Sequence, residues 1–217
     1  MRLLCLLCAA LAASSPSVKA QTTEVVTWGA NMDHIRDVPA GLDDAVQIAS
    51  GNHHMVALRE GGTVVGWGNN EFGQATPPPG LAGVTHVAAG GYNTAAVRAD
   101  GTVAAWGWDI EGQTDVPPGL NGVVQVAVGQ NYMVALREDG TVVAWGDSTY
   151  GQTRVPAGLQ DVVQVAARQF HSLALRSDGT VVAWGLNNAG QTDVPAGLTG
   201  VVEVAAGAGH SLALRSD

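Results

Sequence analysis

Between residues 162 and 200, hydrophobic and polar positions fall into three short bursts separated by turn signals. Val162-Val163-Gln164-Val165-Ala166-Ala167 is a compact run rich in β-branched residues and predicts a strand. Ser172-Leu173-Ala174-Leu175-Arg176 alternates strictly and predicts a second. Asp178-Gly179 is a tight-turn dipeptide between alternating runs, so the third burst, Thr180-Val181-Val182-Ala183-Trp184, is expected to pair back as a hairpin. The stretch from Gly190 to Leu198 then leads to the next unit. Its Pro195 cannot sit inside a central strand, so this is a crossing segment.

The same pattern returns along the chain. Trp28, Trp67, Trp106, Trp145 and Trp184 are each followed by Gly and lie 39 residues apart, and residues 23 to 217 hold five such units. Three short antiparallel strands cannot bury both faces alone, so the units must stack on one another. The expected fold is all-β: a β-propeller of five 39-residue, three-stranded blades. The five tryptophans read as inter-blade core, each burying roughly 150–250 Å², an upper bound of about 4–6 kcal/mol. Small residues end the first strand of most units (Ala49-Ser50-Gly51, Ala88-Ala89-Gly90, Ala127-Val128-Gly129, Ala205-Ala206-Gly207), as a crowded axis requires.

The register also predicts how the ring closes. Asp217 stands in the column of Asp100, Asp139 and Asp178, and the next column is taken up by Thr23 and Glu24-Val25-Val26-Thr27-Trp28-Gly29. The N-terminal strand is therefore expected to complete the last blade beside Leu212 to Arg215, giving a closed and monomeric ring. Without that pairing two sheet edges stay open and prone to association.

Composition changes the picture at the N-terminus. Arg2, the apolar run Leu3 to Ala13 and the small-residue site Val18-Lys19-Ala20 predict a secretory signal peptide over residues 1–20, with the propeller in 21–217. A lipid-modified Cys8 is disfavoured by Leu6-Leu7, where a small residue is expected. Removing the leader takes both cysteines, Cys5 and Cys8, and the only lysine, Lys19, and moves the formal charge from −9 to −11. Such a chain lacks thiol chemistry and suits neither nucleic acid, which needs clustered Lys and Arg, nor a membrane span.

The stretches Val202 to Asp217, Val163 to Gly185 and Gly190 to Pro195 carry a unit that resembles the repeat of the regulator of chromosome condensation superfamily. Within it, the short unit and the Gly-Gln-Thr-x-Val-Pro linker are most similar to the secreted propeller-type β-lactamase inhibitory protein. The resemblance covers residues 23 to 217 and implies a propeller, although relatives of this kind have seven blades and this chain has five units. It also implies that a partner enzyme is gripped by aromatics on one loop face.

The residues point to the same face independently. If the first strand of each unit runs up, the loops after the first and third strands share the top and the Asp-Gly hairpins the bottom. The six aromatics outside the Trp column, Phe72, Tyr92, Trp108, Tyr132, Tyr150 and Phe170, all fall in or beside the top loops. Rigid aromatics on loops of a firm scaffold are the usual anchors of a protein interface. Arg168, in a column otherwise held by Gly, stands beside Phe170 and joins this candidate partner-binding set. Tyr132 has an equal claim to a structural role, because it shares a column with His54, His171 and His210.

Those histidines are read as structural, since Asn93 and Tyr132 replace them and a metal site would not tolerate that. Asp100, Asp139 and Asp178 are turn formers rather than paired catalytic acids. Arg59, Arg98, Arg137, Arg176 and Arg215 line the bottom rim. No nucleophile elbow, phosphate loop or metal motif is present, and no cofactor is expected. The reading is a secreted or periplasmic, non-enzymatic propeller that binds another protein, with inhibition of an enzyme such as a β-lactamase as its sharpest form. The alternatives are a structural or adhesion repeat segment of a larger surface protein and, more remotely, a propeller enzyme. A nucleotide-exchange role on a small GTPase fits an exported acidic chain poorly.

Overall fold

A computed structural model describes residues 23–216. The expected signal peptide, with Cys5 and Cys8, lies outside the described residues. Each unit forms one antiparallel sheet in sequence order: β1 (Ala45–Ser50), β2 (His54–Arg59), β3 (Val64–Gly68); β4 (Val84–Gly90), β5 (Asn93–Arg98), β6 (Val103–Gly107); β7 (Val123–Val128), β8 (Tyr132–Arg137), β9 (Val142–Gly146); β10 (Val162–Arg168), β11 (His171–Arg176), β12 (Val181–Gly185). The fifth sheet has two strands, β13 (Val201–Ala206) and β14 (Ser211–Arg215). The fold is all-β, with one 3-10 turn at Met32–His34 among the described residues.

Alternation explains the burial. The middle strands β5, β8 and β11 have both faces covered, one by the preceding sheet and one by the following sheet. In one such interface Leu136 and Val134 of β8 pack with Val162 and Val165 of β10 and with Trp184. Trp67, Trp106, Trp145 and Trp184 are buried as expected, and each indole N–H donates to a carbonyl in the segment before its own sheet, of Ile35, Gln74, Gln113 and Gln152 respectively, at 2.8–3.0 Å. The Gly after each of these four Trp residues is required by close approach. At Gly107, with φ at +116°, a Cβ would lie 2.2 Å from the Tyr92 carbonyl oxygen.

A glutamine column joins neighbouring inner strands. Each first strand carries a bulge, at Ala45/Gln47 in the first sheet, and the displaced Gln reaches across to the next one. Gln47 accepts from Val87 N–H (2.9 Å) and donates to its carbonyl (3.1 Å), and Gln125 and Gln164 do the same with Val165 and Val204. The side-chain amide thus acts as a strand partner where two sheets diverge from the axis. His86 stands in this column in the second sheet, and burial holds its pKa below the usual histidine range.

The Asp-Gly hairpins are three-residue loops rather than two-residue ones. Arg98 N–H donates to Thr102 and Gly101 N–H to Arg98, with Gly101 at φ +76° completing a bulge. Asp100, Asp139 and Asp178 each accept from the backbone (3.0 Å) and hydroxyl (2.6 Å) of the Thr two residues on, which lowers their carboxyl pKa.

Three expectations need correction. The N-terminal segment forms no strand, and β14 pairs only with β13, so the expected closure beside Leu212 to Arg215 is not made. Residues 23–27 instead lie against the first sheet: Thr23 N–H donates to Asp43 (2.8 Å), its hydroxyl to Ala45 (2.8 Å), and Val25 packs beside Leu42 and Trp67. Trp28 is consequently no core residue. It is 85% exposed: no Gly-Gln linker precedes it among the described residues to receive its indole. His210 is exposed as well, since no sheet follows β14 among the described residues.

His54 and His171 are buried. The Thr94 hydroxyl donates to the Gln74 carbonyl (2.8 Å), leaving its oxygen to accept from His54 Nε2–H (2.8 Å). Burial pushes the His54 pKa down to about 4 and lowers that of His171. Burial thus favours neutral His54 in the folded state, and its contribution is complete above the unfolded histidine value and is lost as pH falls from about 6.5 toward 4. For His54 it amounts to something on the order of 3 kcal/mol. Urea midpoints should fall over that window, and His54→Asn, the residue that blade two uses in this column, should flatten the fall.

Candidate aromatic interface on the loop rim

Backbone bonds put the two loop sets on one rim. The N–H groups of Asn69, Trp108, Asp147 and Leu186, just past the third strands, donate to the carbonyls of His53, Tyr92, Asn131 and Phe170, just past the first strands. The hairpins at the other rim bond instead to the linkers, for example Ala99 N–H to Gly83 (2.8 Å).

The loop after each Trp-Gly is folded by the glutamine of the Gly-Gln pair. Gln74, Gln113 and Gln152 are fully buried, and their Oε1 atoms accept from the backbone N–H of Phe72, Glu111 and Tyr150 at 2.8–2.9 Å. In the sequence these residues stand out only as part of a crossing segment. The recurrence of Gly-Gln at the 39-residue period was the signal that could have marked them. Asn93 adds a bond from its side-chain amide to the Trp108 carbonyl, fixing the neighbouring loop.

On this rim Phe72, Tyr92 and Trp108 form one contiguous cluster. Ring centroids are 4.5 Å apart for Phe72–Trp108, 5.4 Å for the edge-on Phe72–Tyr92 pair and 5.6 Å for Tyr92–Trp108. His53 stacks on Tyr92 at 5.7 Å and is tied by Nδ1 to Asp33 (2.9 Å). Ile110, two residues past Trp108, is 68% exposed. Neither His53 nor Ile110 was singled out by sequence, because one is masked by the neighbouring structural His54 and the other is not aromatic.

Tyr150 and Phe170 make a second pair, edge-on at 5.1 Å. Arg168 ends β10 half-buried, and Gln169, between it and Phe170, has φ at 40°, a conformation uncommon for a non-glycine residue. Packed aromatic pairs contribute about 0.5–1.5 kcal/mol each beyond area burial, so the rings hold one another in place.

Tyr132 does not belong to this surface. It is wholly buried: its hydroxyl donates to the His171 carbonyl (2.5 Å) and accepts from Ser172 (3.1 Å), and burial raises its pKa. Gly129 makes room for it, since a Cβ there would lie 1.9 Å from the ring. No group of three or more His, Cys, Asp or Glu is placed to hold a metal among the described residues, and none of their helices is long and apolar enough to cross a membrane.

A family model for the regulator of chromosome condensation (RCC1) repeat matches residues 45–74, 84–113, 123–152 and 162–191, more than half of the chain. The chain belongs to the RCC1 repeat family. Each match runs from the first strand of a unit to its buried glutamine, so the family motif contains the whole device that folds the aromatic loops.

Solved structures show the same fold. Prp20p of Saccharomyces cerevisiae, described with its binding to Gsp1p and histones, is 23% identical with a TM-score of 0.68 over 82% of this chain and 56% of that one. Yeast RCC1 (Prp20), solved bound to Kap60, is 26% identical with a TM-score of 0.68 over 82% and 55%. The ectodomain of the Physcomitrella patens receptor kinase CR4 is 23% identical with a TM-score of 0.66 over 82% and 50%. This RCC1-repeat chain spans about half the length of the solved structures it matches. No curated protein matches it in sequence.

Proposed function

We propose that this RCC1-repeat chain is a secreted or periplasmic protein-binding module whose partner docks on the aromatic loop rim. The observation that carries this reading is the Phe72–Tyr92–Trp108 cluster, three packed rings on loops braced by buried glutamines. Yeast RCC1 bound to Kap60 supports it as a precedent for a repeat propeller in a protein complex. The anchors are Phe72, Tyr92, Trp108, Tyr150 and Phe170, with Arg168 as a flanking polar contact. Binding through these rings needs no acid–base pair.

The sharper form is inhibition of a secreted enzyme, with a β-lactamase as the named example, and rests on the similarity of the repeat unit and linker to the propeller-type inhibitory protein. Nitrocefin hydrolysis by a panel of β-lactamases tests it. Inhibition of one or more enzymes at micromolar concentration is expected, relieved by Trp108→Ala. Undiminished hydrolysis across the panel removes the inhibitor form. The alternative, a structural repeat segment of a larger surface protein, draws on the chain spanning only about half of its structural relatives.

A further inference from the structure

The loops that carry Phe72, Tyr92 and Trp108 hold charge of one sign. Residues 51–54, 69–76, 90–93 and 108–115 contain four carboxylates, Glu71, Asp109, Glu111 and Asp115, and no lysine or arginine. Glu71 directly precedes Phe72, and Asp109 and Glu111 bracket the exposed Ile110, so acid and apolar surface alternate along these loops. Asp33 adds a further carboxylate from the N-terminal segment, placed by its contact with His53, which stacks on Tyr92.

Not all of these acids are spent inside the protein. Asp33 is taken by His53, and Asp109 accepts the Thr114 N–H (2.9 Å). Glu71 and Glu111 are exposed, and no group among the described residues bonds to either carboxylate. The acidity does not simply follow the net charge of the chain. At the Tyr150–Phe170 pair the loops carry Arg154 and Arg168, also without partners among the described residues. Asp147 in the same loops is occupied by the N–H and hydroxyl of Thr149 (2.7 and 2.6 Å). The rim thus changes sign from one aromatic group to the next.

Ring spacing decides what this acidic sector admits. A group held between two rings needs centroids about 7–8 Å apart, twice a van der Waals contact. The three pairs stand at 5.4, 4.5 and 5.6 Å, so a free ammonium ion cannot enter between them. The rings offer their outer surface, continued by Ile110, to something that lies across them.

We infer that this sector takes a protein segment combining apolar side chains with arginine or lysine. The inference rests on the docking reading above and adds the chemistry of the partner. The apolar side chains cover Phe72, Trp108 and Ile110, and the cations reach Glu71 and Glu111, carboxylates without a partner in their own chain. Arginine suits the site best, because its guanidinium pairs with a carboxylate in a fork and stacks on an aromatic face. An acidic segment would meet like charge beside the rings. Charges at the margin of an interface act mainly on association rate and salt dependence, whereas packed anchors act on residence time. The two contributions are therefore separable.

A phage-displayed library of random peptides of about twelve residues supplies the probe. It is selected on the full chain after subtraction on a Phe72/Tyr92/Trp108→Ala variant shown to be folded, and the most enriched peptide is synthesised. Survivors are expected to carry net positive charge together with aromatic or aliphatic residues. Affinity of the synthetic peptide should fall at least about tenfold in Glu71→Gln/Asp109→Asn/Glu111→Gln, chiefly through slower association. It should fall as well when NaCl rises from about 50 to about 500 mM. Asp100→Asn/Asp139→Asn/Asp178→Asn, which removes the same charge from the opposite rim, should leave it unchanged. Rim-dependent peptides that are neutral or acidic, or basic ones that bind the Glu71/Asp109/Glu111 variant equally well, overturn the inference and leave the docking reading standing. A library from which no peptide survives the subtraction overturns both.

Discussion

Tyr132→Ala is expected to lower unfolding stability by about 5 kcal/mol. Truncating a buried aromatic costs about 3–5 kcal/mol, and here it also strips the His171 carbonyl of its donor. Against a total of about 5–15 kcal/mol for a domain, most of the margin disappears. The repeat supplies its own rescue. His54 and His171, in the same column, reach a hydroxyl of the following sheet, Thr94 and Ser211, and Ser172 offers one to a histidine at 132. Tyr132→His should therefore cost less than about 2 kcal/mol. Urea denaturation of the three proteins measures both values. If alanine and histidine prove equally damaging, the column does not share one structural job.

The tryptophan column should divide sharply. Trp106→Ala, Trp145→Ala and Trp184→Ala are each expected to cost about 4 kcal/mol, through lost burial and a glutamine carbonyl left without its indole donor. Trp28→Ala should change stability by no more than about 0.5 kcal/mol at dilute concentration, since its indole is exposed. Four residues in one repeat column thus separate by nearly a factor of ten in energy. Thermal or urea unfolding of the four single variants settles it, and a Trp28→Ala loss as large as the others would mean that its indole is buried in solution.

How the fold could be read from sequence follows from the repeat. Strand positions, hairpins and the burial of four tryptophans are local consequences of alternation and period, repeated often enough to be unmistakable. Closure was not local. The match between the columns of Thr23 and Asp217 is a statement about register, and register says nothing of whether two ends meet in space. The structure leaves Trp28 and His210 uncovered for that reason. The glutamine contacts are not legible in sequence because Gln47, Gln125 and Gln164 act through a bulge, and a one-residue displacement is invisible in an alternating pattern.

The loop rim was partly legible. Topology alone sent every spare aromatic to one side, and Phe72, Tyr92 and Trp108 do meet there. What alternation could not show is which rings turn inward. Tyr132 is drawn under the rim by the His171 carbonyl and by the space above Gly129, a choice that its shared column with His54 and His171 leaves open in sequence. The Asp33–His53 pair joins residues 20 positions apart across a segment that reads as plain loop, so its place beside Tyr92 needed coordinates.

The account rests most heavily on recognition through the aromatic rim. The direct test is capture from a secreted-protein fraction by the unaltered chain and by a Phe72/Tyr92/Trp108/Phe170→Ala variant shown to be folded by circular dichroism. A variant with Asp100, Asp139 and Asp178 changed to Asn at the opposite rim serves as the comparison. The account predicts a discrete partner retained by the unaltered chain and the opposite-rim variant, with retention by the aromatic variant reduced at least about tenfold. Equal retention by all three would contradict it.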